Sequence, residues 1–123
     1  MPHYYRILSS NKGIYEAVDH DCPKDDPRRA EKPDGYWLAK VGPLFPNAIS
    51  FWTQEGLQKY IESGLFSWHT SVVQKGVRAI TIETPDQIVY QDPYQILTES
   101  KPVPIIQEAA LPEFLTHLMN ILD

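Results

Sequence analysis

The residues of this chain best suited to chemistry are an acidic knot, four scattered histidines, a single cysteine and a group of tryptophans and tyrosines. The knot is Asp19-His20-Asp21-Cys22-Pro23-Lys24-Asp25-Asp26. It holds every donor type a transition metal takes, yet no His-x-x-x-His, no paired cysteines and no glycine at the sixth position of a calcium loop accompany it. The reading is a solvated loop, with no metal site. His3, His20, His69 and His117 are spread through the sequence. Neither a nucleophile elbow nor a cysteine-protease signature places a Ser or Cys nucleophile beside one of them. The glycines form neither G-x-G-x-x-G nor a Walker loop. Trp37, Trp52 and Trp68 with seven tyrosines suit a stacking platform for a ring ligand, but such residues more often belong to a core.

Charge and composition narrow the partners. Lys and Arg total 11 against 16 Asp and Glu, a net charge of −5 over 123 residues. With no basic run among the aromatics, neither nucleic acid nor an anionic membrane is the expected partner. Met1 to Ile14 lacks the apolar core of a signal peptide, and no run reaches the length of a membrane span. The expected location is the cytoplasm, although a signal-less secretion route leaves the same trace. One cysteine excludes an internal disulfide framework. Residues 1–123 read as one domain, with no internal repeat.

The positioning elements follow from periodicity and breakers. His3-Tyr4-Tyr5-Arg6-Ile7-Leu8 reads as a strand, Ser9 to Gly13 as a turn, and Ile14 to Val18 as either a strand or one helical turn. Five of the eleven prolines fall between Pro23 and Pro46. They make residues 19–46 a long, acidic, proline-stiffened loop in which Tyr36-Trp37-Leu38 docks back on the core. Ala48 to Trp52 is a strand, Thr53 an N-cap, and Gln54 to Ser63 a helix with Leu57, Tyr60 and Ile61 on one stripe and Gly64 at its end. Leu65 to Val73 suits a second short helix or, from its β-branched residues, a strand. Ala79 to Glu83, Gln87 to Gln91 and Tyr94 to Thr98 read as three strands of an antiparallel meander or of sharp bends between sheet positions. Residues 111–123 carry the clearest helical stripe, opened by Pro112 and suited to packing on the domain or to a homodimer. The fold class is therefore α+β: a twisted, mainly antiparallel sheet with a helix after Thr53 and an amphipathic C-terminal helix.

Two resemblances bear on function. The strand with Tyr5-Arg6, the strand Ile49-Ser50-Phe51-Trp52-Thr53 entering a helix with Glu55-Gly56-Leu57, and the strand Tyr94-Gln95-Ile96 resemble the element order of ADP-ribosyltransferase-like domains. The resemblance implies Arg6 as a phosphate or ribose anchor, Ser50 and Thr53 as middle-strand positions supporting a nicotinamide, and Gln95 at the catalytic-acid position. NAD is then the implied cofactor. Gln95 departs from the family's glutamate, because an amide cannot carry the negative charge that stabilises an oxocarbenium ion; Asp92 or Glu83 would have to substitute. The second resemblance rests on Tyr4-Tyr5-Arg6-Ile7, Gly13-Ile14-Tyr15-Glu16-Ala17, Phe51-Trp52-Thr53 and Ile88-Val89-Tyr90-Gln91-Asp92. This pattern is similar to a family of small uncharacterised bacterial proteins and implies no activity.

Two functions of different class remain. The first expectation is a bacterial protein-interaction module, of regulator, immunity or phage-host conflict type. It would bind a protein through Tyr36, Trp37, Asp25 and Asp26 on the acidic loop, with no cofactor and no complete catalytic set. The alternative is an ADP-ribosyltransferase-like domain that binds or cleaves a nicotinamide dinucleotide. The bland reading of the same residues is an Arg6 salt bridge with the acidic loop, an outward strand position at Ser50, and turn hydrogen bonds from Tyr90, Tyr94 and Gln95.

Overall fold

Alternation in the first strand decides the frame of the molecule. In the computed structural model, which describes residues 3–83, 87–99 and 107–110, β1 runs Tyr4–Ser9 and buries Tyr5, Ile7 and Ser9 on one face. A short return strand, β2 at Lys12–Gly13, leads directly into helix α1 at Ile14–Asp21. Of the two alternatives open for Ile14 to Val18, the helix forms, because Ile14, Ala17 and Val18 at i, i+3 and i+4 all reach the core. The helix also takes in Asp19, His20 and Asp21, so the long loop begins later than its charge pattern suggests.

That loop, from Cys22 to Ala48, contains two 3-10 turns, Pro27–Glu31 and Gly42–Leu44. Strand β3 at Ile49–Trp52 follows, then α2 at Gln54–Glu62, α3 at Leu65–Val72, β4 at Val77–Ile82, β5 at Ile88–Gln91, β6 at Gln95–Thr98 and β7 at Gln107–Ala110. Thr53 caps α2 as its spacing predicts, its Oγ1 accepting from the Gly56 N–H at 2.9 Å. Gly64 joins α2 to α3 with φ of +86°, a left-handed conformation that favours glycine. The Leu65 to Val72 segment is a helix although β-branched residues close it. Leu65, Trp68, His69 and Val72 bury one helical face, and that packing outweighs a modest difference in propensity.

The sheet order is β5-β6-β3-β1-β4-β7, with β2 paired to β1, and every pairing is antiparallel. The fold is thus α+β with an antiparallel sheet. β5 and β6 pair as neighbours, but the meander does not extend to β4. β4 lies against β1 over six residue pairs, from Tyr4 opposite Ile82 to Ser9 opposite Val77. Buried Ala79, Ile80, Thr81 and Ile82 explain the choice, since a centrally placed strand can cover both faces. The three helices pack with Tyr5, Ile7, Trp52 and Ala79 in the main core. Phe51, Ile80, Ile82 and Ile96 form a second cluster. The amphipathic helix expected over 111–123, with any dimerisation through it, lies outside the described residues. No helix among the described residues is long and apolar enough to cross a membrane.

Candidate functional site

Sheet register brings the middle strands together at one end of a cavity. Tyr5 on β1 is opposite Trp52 on β3, and Trp52 in turn is opposite Gln95 on β6. Above this row lies a cavity of about 1030 Å³, lined by Arg6, Ser50, Trp52 and Gln95 from the sheet and by Tyr15 and Glu16 from the first turn of α1. Its outer wall is the loop between Lys32 and Pro43. The space is at the upper end of small-molecule sites.

Arg6 reaches across to the neighbouring strand, its Nη1 donating to the Ser50 carbonyl at 3.0 Å. Gly13 makes room for the guanidinium, since a Cβ there would stand 2.8 Å from Arg6 Nη2. Burial lowers the Arg6 pKa from its ordinary value, while the Glu16 carboxylate acts in the opposite direction; a guanidinium in this setting stays charged. Arg6 makes no salt bridge with the acidic loop among the described residues. The acids at the end of α1 and in that loop serve other partners. Asp19 pairs with Arg29 at 3.1 Å, Asp21 accepts from the Gln74 N–H at 2.8 Å, and Asp26 caps the Pro27–Glu31 turn while holding Arg28 at 2.9 Å. Asp25 is exposed.

Gln95 fastens the outer wall. Its Nε2 donates to the Ala39 carbonyl at 2.9 Å and to Asp92 Oδ2 at 3.2 Å. Asp92 also accepts from the Tyr90 hydroxyl and from the Tyr94 and Gln95 N–H groups, at 2.8, 2.8 and 3.0 Å. Partial burial raises the Asp92 pKa, and these hydrogen bonds outweigh it, so the carboxyl ends below its ordinary value. Asp92 is therefore the organising acid of the β5–β6 turn and does not line the cavity. Thr53 is also outside it: besides capping α2, its hydroxyl donates to the Pro93 carbonyl at 2.7 Å.

Of the site residues expected from the sequence, Arg6, Ser50, Gln95 and Tyr36 share the cavity. Thr53, Asp92, Glu83, Asp25 and Asp26 do not line it. Trp37 turns inward, its ring 5.9 Å from Trp52 and 5.3 Å, edge to face, from Tyr94. It anchors the loop, whereas its neighbour Tyr36 is 83% exposed. Glu16, Lys32 and Lys40 also line the cavity, and nothing in their spacing marks them. Among the described residues no cluster of His, Cys, Asp and Glu is grouped to hold a metal.

Comparison with family models, with curated proteins and with solved structures finds no match to this chain.

Proposed function

We propose that the cavity between β1, β3, β6 and the loop is a binding site for a nicotinamide dinucleotide, in the manner of an ADP-ribosyltransferase-like domain. The observation that carries this reading is the convergence of Arg6, Ser50 and Gln95, from three different strands, on one cavity. Arg6 supplies a fixed cation with donors for a phosphate or ribose, while Trp52 is buried and packed by Tyr60 and Trp37 as the floor beneath it. The chemistry favours capture over cleavage. Gln95 is neutral and its amide N–H groups are committed to Ala39 and Asp92, so the developing positive charge on a ribosyl carbon would find no anionic partner there. The carboxylates on the cavity wall are Glu16, Asp19 and Asp34; Asp19 is paired with Arg29, and Asp34 accepts from the Tyr36 N–H at 3.0 Å. Calorimetric titration with NAD tests the reading. Saturable binding is expected, without release of nicotinamide, and no heat at millimolar ligand would overturn it.

A second reading, a protein-interaction module of regulatory or immunity type, draws support from Tyr36 and Leu44. They are 83% and 72% exposed on the same loop, as a contact anchor would be. It requires neither Arg6 nor Gln95. Loss of partner capture in Tyr36→Ala, with no NAD binding by the unmodified chain, would favour it over the first.

A further inference from the structure

The outer wall of the cavity carries two cations and a ring with no internal work assigned to them. Lys32, Tyr36 and Lys40 all line the space. Neighbouring basic residues are occupied: Arg28 with Asp26 and Arg29 with Asp19. Neither Lys32 nor Lys40 has an ion-pair partner among the described residues. Tyr36 is held open by its surroundings. Its N–H donates to Asp34 Oδ1 at 3.0 Å, the adjacent Trp37 is seated between Trp52 and Tyr94, and the Ala39 carbonyl is tied to Gln95. The backbone that follows Tyr36 is thus fastened to the domain, while its own ring is exposed to solvent and borders the cavity. A large ring kept in water beside a cavity is a platform for a flat ligand, and two ammonium groups lining the same cavity suit phosphate oxygens.

We infer that Lys32, Tyr36 and Lys40 form the recognition wall for the adenylate half of a dinucleotide, the Tyr36 ring stacking on the base and the two ammonium groups meeting the diphosphate. This rests on the dinucleotide reading above and extends it. Partly buried Arg6 takes the half of the ligand next to Ser50 and Gln95, and the exposed wall takes the other half. Recognition is then divided between a sheet-borne and a loop-borne element.

The test is calorimetry on the full chain with three probes: NAD, ADP and nicotinamide mononucleotide. Tyr36→Ala should weaken NAD and ADP about tenfold, the size of one base-to-aromatic stack, and leave nicotinamide mononucleotide unchanged. Tyr36→Phe should restore both. The double variant Lys32→Ala/Lys40→Ala should weaken ADP at least as much and flatten its dependence on salt. Tyr36 is exposed, so thermal melts of these variants should coincide with the unmodified chain. If that chain binds NAD and Tyr36→Ala changes nothing, the inference falls while the dinucleotide reading stands. Should it bind ADP in a Tyr36-dependent way but not NAD, the wall stands and the dinucleotide reading falls. Binding of neither NAD nor ADP overturns both.

Discussion

The Tyr60 hydroxyl lies 2.6 Å from His69 Nδ1 inside the main core, where both residues are almost wholly buried. Tyr60 also stacks on Trp52, with ring centroids 4.8 Å apart, and the edge of Tyr15 meets the His69 ring at 4.6 Å. The histidine therefore ties α3 to α2 and to the aromatic floor beneath the cavity.

This pairing makes stability depend on pH. Burial, reinforced by Lys32, lowers the His69 pKa to about 4, against an unfolded value near 6.5. Between those values the unfolded chain binds the proton and the folded chain does not. Stability is complete above about pH 6.5 and falls as pH drops towards 4, by roughly 3 kcal/mol from this group. Urea unfolding at pH 7.5, 6, 5 and 4.5 should show the decline beginning well above the carboxylate range. His69→Gln should start less stable and lose the slope between pH 6.5 and 5.

Gly56 is required by proximity. A Cβ at this position would overlap the Tyr94 backbone carbonyl, so α2 and the β5–β6 turn could no longer approach as they do. Gly56→Ala should cost ~2–3 kcal/mol through forced displacement of backbone, despite alanine's better helix propensity. Urea midpoints measure the loss. Because Gln95 directly follows the displaced Tyr94, the proposed dinucleotide site predicts that NAD affinity falls with it; Gly76→Ala, where a Cβ meets nothing within 4 Å, is the control.

Local signals in the sequence were sufficient where the chain's own neighbours decide the outcome. Thr53 as an N-cap, Gly64 as a left-handed junction and the Leu57, Tyr60, Ile61 stripe all depend on contacts a few residues apart, and all are in place. Strand pairing was less legible. β4 prefers β1 to its successor β5 because both faces of β4 find buried partners there, a tertiary effect that turn residues do not encode. At the site, Arg6, Ser50 and Gln95 were legible only through resemblance of element order. Lys32 and Lys40 were not, since they sit on irregular backbone, and only the way that backbone folds back over β1 and β3 brings them to the cavity. Trp37 and Tyr36 are adjacent in sequence, and the fold separates them into an anchor and an exposed ring.

Gln95 and Asp92 should be energetically coupled. Gln95→Glu replaces an amide donor by an acceptor, leaves the Ala39 carbonyl without its partner and sets a second carboxylate against Asp92 at a present separation of 3.2 Å. A loss of about 2 kcal/mol is expected, the cost of an unpaired polar group beside a like charge. Adding Asp92→Asn restores a donor between the two side chains, so the double variant should be more stable than the sum of the single losses predicts. Additive losses in denaturation would show that the two residues act independently.

Arg6 separates a binding role from a fastening one. Its hydrogen bond to the Ser50 carbonyl joins β1 to β3, so Arg6→Ala should lower stability by about 1.5–2 kcal/mol, the low end of the range for a charged donor. β1 keeps its six-pair register with β4, so the fold should survive. On the proposed dinucleotide reading NAD affinity falls more than tenfold in the same variant, a loss that the small change in folding does not account for. Arg6→Lys keeps the charge but not the planar fork, and should recover stability more fully than affinity. Thermal melts and NAD titrations on the three proteins read the two effects separately. If stability falls by several kcal/mol while affinity is unchanged, Arg6 is a strand fastener, and the dinucleotide reading loses its anchor.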